Sequence, residues 1–334
     1  MTTTAPTTSA PAAPSAARVP WQVKFLALAL IWGSSFLLIK FGLRSLAPLQ
    51  LAALRVLSGA AVLMTVLLIA REHLPRGART WRHLAVSGFF VATLPWTLFA
   101  LAEERVSSAL AGIGNATTPM AAVLFTLLLI PAERVAARKV IGVLVGFVGV
   151  LVIMEPWASA SRPDLLGFGM TVLAGASYGL GWTYARRHLT GGDLTGLMAP
   201  AGQLLAASAQ VVLVVMGWWL WHADTVAAPW STTPAATGPS WLPVLAVLVL
   251  GVIGTGFATA MQYDVVRAAG STVATSVTYL IPVVSVALGM VVLHERLGLA
   301  QVVGALVVLG AAAVIGLPAR RQRTQVTLRR PRRT

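Results

Sequence analysis

Arg55 is the side chain whose position most needs a chemical reason. It stands seven residues after Pro48 in an apolar run that continues to Ala70, and placing an ionisable group inside a bilayer costs about 2.5–3.5 kcal/mol on insertion scales. It is too deep for easy snorkelling. Two roles meet that cost: a cavity cation that attracts a substrate carboxylate or phosphate, or a structural arginine bonded to the helix-end carbonyls of a neighbouring span. Asp264 follows Gln262 and Tyr263 at the end of a later apolar run. It is a candidate for proton coupling, since a desolvated carboxylate can load and release a proton; the alternative is an interfacial acid partnered by Arg267 at i+3. Glu103 and Glu104 with Arg105 read as a headgroup-level ion cluster, with a gate as the second reading. Lys40 and Arg186, at matched span ends, read as snorkelling anchors. Glu133 and Glu295 read as caps on the helices that follow them, where the helix dipole favours a carboxylate.

A second set is amphipathic. Trp32, Trp96, Tyr178, Trp182 and Tyr279 fall near the middle of apolar runs, together with Ser34, Ser35, Asn115, Thr118, Gln203, Gln262, Tyr263 and Thr278. Stacking surfaces with adaptable hydrogen-bonding groups suit a small-molecule cavity. For any one residue helix packing explains the position equally well, but packing alone does not require so many polar side chains. Pro119 and Pro282 each remove a backbone hydrogen bond and are hinge candidates, or static kinks that shape the cavity. Gly142 with Gly146, and Ala300 with Gly304, are small-xxx-small pairs suited to close helix contact within each half or to a homodimer interface.

Several chemistries lack their residues. The chain has no cysteine, which removes disulfides, thiolate metal sites and cysteine nucleophiles. The five histidines lie in loops or at the edges of apolar runs, and neither H-E-x-x-H nor a Walker A sequence occurs. Ser34 and Ser35 have no intramembrane base to activate them, and no pore-ring motif is present. An enzyme, an ATP-driven pump and a channel are therefore disfavoured, and no cofactor or metal is implied.

These residues must be positioned by helices in a membrane. Of 334 residues, 57% are hydrophobic and 10% charged, with mean hydropathy +0.80. A span takes roughly 20 apolar residues, and ten continuous runs are present, at about Gln22 to Leu43, Pro48 to Ala70, Arg82 to Ala102, Val106 to Ile130, Val140 to Trp157, Leu165 to Ala185, Leu194 to Trp221, Trp241 to Tyr263, Thr272 to Leu293 and Gly298 to Leu317. They lack the alternation of barrel strands. The expected class is an all-α integral membrane protein. Residues 1–20, rich in Thr, Ala, Pro and Ser, form an expected disordered tail rather than a signal peptide, and residues 319–334 a basic tail. With both tails cytoplasmic, nineteen Lys and Arg lie inside and five outside, so the positive-inside rule orients the chain in the cell membrane. The net charge of +15 is then a topology signal and does not imply nucleic acid; the partners expected are a small-molecule substrate and the lipid bilayer.

Self-comparison divides the chain. Ala111 to Ile130 aligns with Ala274 to Leu293 at offset 163, pairing Pro119 with Pro282, and Glu-Arg follows each: Glu133-Arg134 and Glu295-Arg296. Trp32 to Phe36 pairs with Tyr178 to Trp182 at offset 146, and Arg55 falls on Gln203 at offset 148. Two five-helix halves, 21–157 and 158–318, are expected. Because five is odd they insert in opposite senses, and inverted repeats exchange conformations to alternate access, as a carrier requires.

The residues that carry this pattern are Trp32-Gly33-Ser34-Ser35-Phe36, Arg55, the run from Ala100 to Val150, and its echo STVATSVTYLIPVVSVALGMVVLHERLGLAQVVGALVVLG. In them the chain resembles the EamA-type branch of the drug/metabolite transporter superfamily, over about Trp21 to Leu317. The resemblance implies ten transmembrane helices as two inverted five-helix repeats, a central substrate cavity, and export of amino acids, metabolites or drug-like compounds. The segment 222–240, rich in Thr, Pro and Ala, departs from that pattern as an external insertion. A non-transporting membrane protein, such as a lipid-binding or assembly factor, is the alternative.

Overall fold

The computed structural model describes residues 19–131, 136–154, 164–189, 194, 196–222, 228–232, 241–269 and 277–316. Most of both predicted tails, Glu133 and much of the 222–240 insertion lie outside these residues, as does the side chain of Arg267. All regular structure among the described residues is helical. Among the described residues seven helical stretches are long and apolar enough to cross a membrane: Trp21–Gly42, Pro48–Ile69, Ala78–Ala102, Ser108–Leu129, Leu165–His188, Met198–Trp221 and Leu242–Val265. Large apolar side chains such as Leu144, Phe147, Leu213, Val291 and Leu306 stand exposed on the outside of the bundle, an arrangement that suits lipid and not water.

Several runs that read as continuous are broken helices. The first is α1 (Trp21–Gly33) and α2 (Ser35–Gly42), separated at Ser34, and it is followed by the uninterrupted α3 (Pro48–Ile69). The third crossing is α4 (Ala78–Gly88), a π-helical segment (Phe89–Thr93) and α5 (Leu94–Ala102); the fourth is α6 (Ser108–Asn115) and α7 (Thr118–Leu129). After α8 (Ala137–Met154), α9 (Leu165–His188) and α10 (Met198–Trp221) come α11 (Leu242–Gly251), a second π-helical segment (Val252–Phe257) and α12 (Ala258–Ala269). A 3₁₀ turn (Val277–Tyr279) leads into α13 (Ile281–Val292), and α14 (Leu299–Gly316) ends the described fold. Pro119 sits in the first turn of the later half-helix α7, and Pro282 in the first turn of α13. There the missing N–H has no partner to lose, so each proline begins a helix instead of bending one from within.

Cross-chain bonds define two faces. On the proximal face, where α1 begins, Lys24 pairs with Asp264, Leu197 donates its N–H to Glu72, and His83 meets the Tyr184 hydroxyl at 2.8 Å. On the distal face, Gln50 straps the described part of the 222–240 insertion through the carbonyls of Ala228 and Ser231. Asp164 there caps α9 at the Gly167 N–H and pairs with Arg105 at 3.3 Å; the Gly167 bond holds its carboxyl below the usual carboxylate range.

Helix packing crosses the chain's midpoint throughout. α8 lies along α14, α6 against α13 and α3 against α10. Gly142 and Gly149 of α8 let Ala311, Ile315 and Val308 of α14 approach, and Gly304 admits Ile153 in return. Of the small residues expected to serve contacts within each half or a homodimer, Gly142 and Gly304 face the other half, while Gly146 lies against Met120 of its own half as well as Ala311. α5 also packs on α9 as α12 packs on α1, and α3 meets the second π segment as α10 meets the first.

Candidate functional site

Two interruptions and a close approach build the central cavity. A π turn shifts the helix register by one residue and frees local backbone. Between α4 and α5 it turns Val91 and Ala92 inward, and between α11 and α12 Gly254 and Thr255. Gly59 of α3 lies so close to Thr255 that a Cβ there would sit 2.6 Å from its methyl carbon. That approach brings Arg55, one helical turn before Gly59, onto Thr255.

The cavity holds about 150 Å³, room for roughly ten waters and so for a small metabolite. Arg55 is 6% exposed. Its Nε donates to Thr255 Oγ1 at 3.2 Å, and its guanidinium carbon stands 4.4 Å from the centre of the Trp96 ring. Among the described residues no acid pairs with it, and no helix-end carbonyl holds it, so the structural role foreseen for it is taken by a hydroxyl and a ring face. Trp96 Nε1 donates to the Tyr178 hydroxyl at 2.5 Å, which fixes the indole beneath the cation. Trp32 Nε1 donates to the Gly254 carbonyl at 3.0 Å, and Gln203 Nε2 to Ser87 Oγ at 2.7 Å. Arg55 and Gln203, which the self-comparison of the sequence aligns, both line this one cavity.

Trp32, Ser35, Arg55, Trp96, Asn115, Thr118, Tyr178, Trp182, Gln203, Gln262 and Thr278 all line it. Three other candidates do not. Ser34 closes α1, with its hydroxyl on the Ile31 carbonyl at 2.9 Å. Tyr263 packs beside the α3–α10 core, and Tyr279 belongs to the 3₁₀ turn. Phe36, Phe99, Thr255 and Thr259 are wall residues that the sequence reading passed over. Only the Gly254-Thr255-Gly256 run could have signalled one of them, since closely spaced glycines mark close backbone approach. A separate cavity of about 550 Å³ opens at the distal face between the start of α3 and the end of α10, lined by Leu46, Gln50, Glu104, Trp218 and Trp219.

Distal to the central cavity, Phe36 and Phe99 meet edge to face at 5.2 Å, and a polar layer follows. Lys40, expected to snorkel, instead donates to the carbonyls of Glu103 and Val106, the latter at 2.8 Å. Arg186 likewise donates inward to Thr126 Oγ1 at 3.1 Å. Glu295 caps a helix, but not the one that follows it. Its carboxylate accepts from the Ser108 N–H at 2.8 Å, the Ala109 N–H at 3.0 Å and the Ser108 hydroxyl at 3.1 Å, at the start of α6 in the other half. The expected surface cluster divides: Glu104 is exposed, Arg105 turns to Asp164, and Glu103 is 1% exposed. Asp264, proximal and outside the cavity wall, pairs with Lys24 at 2.6 Å.

Comparison with known proteins accords with this architecture. Residues 19–155 and 165–317 each match the model of the EamA-like transporter family. The uncharacterized inner membrane transporter YedA of Escherichia coli K12 is 29% identical, over 79% of each chain. The uncharacterized transporter YvbV of Bacillus subtilis is 26% identical, over 89% of this chain and 91% of its own. A probable amino-acid metabolite efflux pump of Salmonella typhimurium is also 26% identical, over 85% and 91%. A protein of known crystal structure shares the fold with a TM-score of 0.58 at 24% identity, over 90% of this chain and 98% of its own. With its apolar exterior and a central cavity that holds a buried arginine, the chain belongs to the EamA-like transporter family and is a membrane transporter.

Proposed function

We propose that this transporter is a secondary carrier that exports small carboxylate-bearing metabolites by alternating access, built as ten spans in two inverted five-helix repeats with both termini cytoplasmic. The repeat reading is supported by the twofold family match and by paired features. π segments interrupt the third and eighth runs, and Pro119 and Pro282 open the second half-helix of the fourth and ninth. Equivalent runs meet each other (α3 with α10, α6 with α13, α8 with α14), while other contacts occur in exchanged pairs such as α5–α9 and α12–α1. That is the pattern of a pseudo-twofold axis through the cavity. The excess of Lys and Arg in the proximal segments supports cytoplasmic termini.

The observation that carries the substrate reading is Arg55, a buried cation at the cavity wall with a ring beneath it and, among the described residues, no acid in ion-pair contact with it. A carboxylate would supply the missing charge, with Trp32 and Trp182 covering an apolar remainder. The efflux name of the Salmonella relative supports the direction. Purified protein in liposomes, offered a panel of amino acids, other carboxylates and cationic drugs, should give saturable flux with carboxylate-bearing compounds. Flux confined to cations would overturn the substrate class, and no saturable flux for any member would overturn the carrier.

A further inference from the structure

We propose that Glu103 is a proton-binding site that closes the distal side of the cavity when loaded and releases its proton to water when that side opens. The inference rests on the alternating-access reading above. Glu103 follows the last residue of α5 and begins the turn to α6. Its side chain is 1% exposed, and neither carboxyl oxygen has a hydrogen-bond partner among the described residues. An ionised carboxylate in that position would lose its hydration with no hydrogen bond in return, a penalty of several kcal/mol that the nearby Lys40 and Arg55 charges offset only in part, whereas the neutral acid loses far less.

The charges around it are committed elsewhere. Lys40 of α2 favours the ionised form by its charge, but it donates to two backbone carbonyls, including that of Glu103 itself, and makes no ion pair with the Glu103 carboxyl. Arg55 of α3 acts on Glu103 electrostatically from the cavity side but bonds Thr255. Glu295, after α13, adds a negative charge on the remaining side and bonds Ser108 and Ala109. On its own turn, Glu104 is exposed and Arg105 pairs with Asp164. The closed layer thus holds a carboxyl with no counter-ion of its own, beside a second carboxylate that disfavours its ionisation.

The same residues form the junction between the two halves. The turn carrying Glu103 leads into Ser108 and Ala109, which Glu295 of the other half holds. Parting the halves at this point breaks that cap and lets water reach Glu103. The proton is then released to water as the carboxyl ionises, and no other covalent bond changes. Since only the closed arrangement strongly favours the protonated form, acid shifts the population toward distal closure. The limit for one proton is tenfold per pH unit.

The chain contains no cysteine, so a single reporter can be read cleanly. Ser285 of α13 is 1% exposed against Gly112 of α6; Ser285→Cys should react with a membrane-impermeant maleimide only when the distal side opens. Rates in liposomes, normalised to the same cysteine in the unfolded chain, should rise with distal pH by up to tenfold per unit. In Glu103→Gln they should be low and flat; Glu103→Asp should restore the slope, and Asp264→Asn should keep it. A pH-independent rate in the parent, an unchanged slope in Glu103→Gln, or a slope lost in Asp264→Asn but kept in Glu103→Gln would overturn the site. Flux measured on the same proteoliposomes separates the two readings: pH-dependent labelling without flux for any substrate sinks the carrier alone, and flux with pH-independent labelling sinks the Glu103 site alone.

Discussion

The guanidinium of Arg55 lies 4.4 Å from the ring centre of Trp96, on an indole whose N–H is held by Tyr178. A cation that lies on a ring face and bonds only a hydroxyl keeps much of its charge for whatever enters the cavity. Arg55→Ala should weaken carboxylate substrates by about 2 kcal/mol, roughly 30-fold in affinity, with smaller effects on neutral or cationic compounds. Arg55→Lys should recover part of that loss, since it keeps the charge without the planar stacking face. Substrate-induced thermal shifts of purified variants measure both, and equal losses for all substrate classes would assign Arg55 to structure.

Glu295 caps α6 from the opposite half of the chain. Glu295→Ala removes the acceptor of two N-terminal N–H groups, worth about 1 kcal/mol, so it should favour distal opening roughly fivefold. The expected readout is faster labelling of Ser285→Cys with little change in the amount of folded protein. A drop in folded protein with unchanged labelling would make the cap a general stabiliser.

At the crossing of α6 and α13, a Cβ on Gly112 would overlap the Ser285 hydroxyl, and the remaining neighbour is Phe36 at 3.5 Å. Gly112→Ala should therefore destabilise by about 1–3 kcal/mol, and Ser285→Gly in the same chain should return most of it. A double-mutant cycle on thermal stability tests this coupling. Purely additive effects would place the strain elsewhere.

The Lys24–Asp264 pair is partly open to solvent, with side chains 25% and 45% exposed. Removing it with Asp264→Asn should cost no more than about 1 kcal/mol. The reciprocal exchange, Lys24→Asp with Asp264→Lys, should preserve both folding and flux. Failure of the exchanged chain to transport while folded would give Asp264 a chemical role that its charge partner does not explain.

Much of the cavity was legible because a bilayer penalises polar groups wherever they fall. A polar residue inside an apolar run must face protein, so Arg55, Gln203, Asn115 and Gln262 declared an interior surface, and the repeat placed Arg55 and Gln203 at equivalent depths. The departures from that reading occurred at helix interruptions and at run ends. Ser34 and Tyr279 belong to helix interruptions, which hydropathy alone does not register, and the π turns that bring Thr255 to Arg55 leave the apolar pattern intact. Glu103 at the end of a run is compatible with headgroups or with burial, and only the covering elements distinguish them.

The sequence by itself determined the membrane class, the family resemblance, the paired prolines and most of the polar set, since each follows from local composition or from comparing the chain with itself. The tertiary structure alone decided which groups meet. Glu295 reaches Ser108 across 187 positions, and Lys24 reaches Asp264 across 240. Burial of Glu103 and the facing of glycines across the two halves likewise arise from helix packing between distant segments, which local periodicity does not specify.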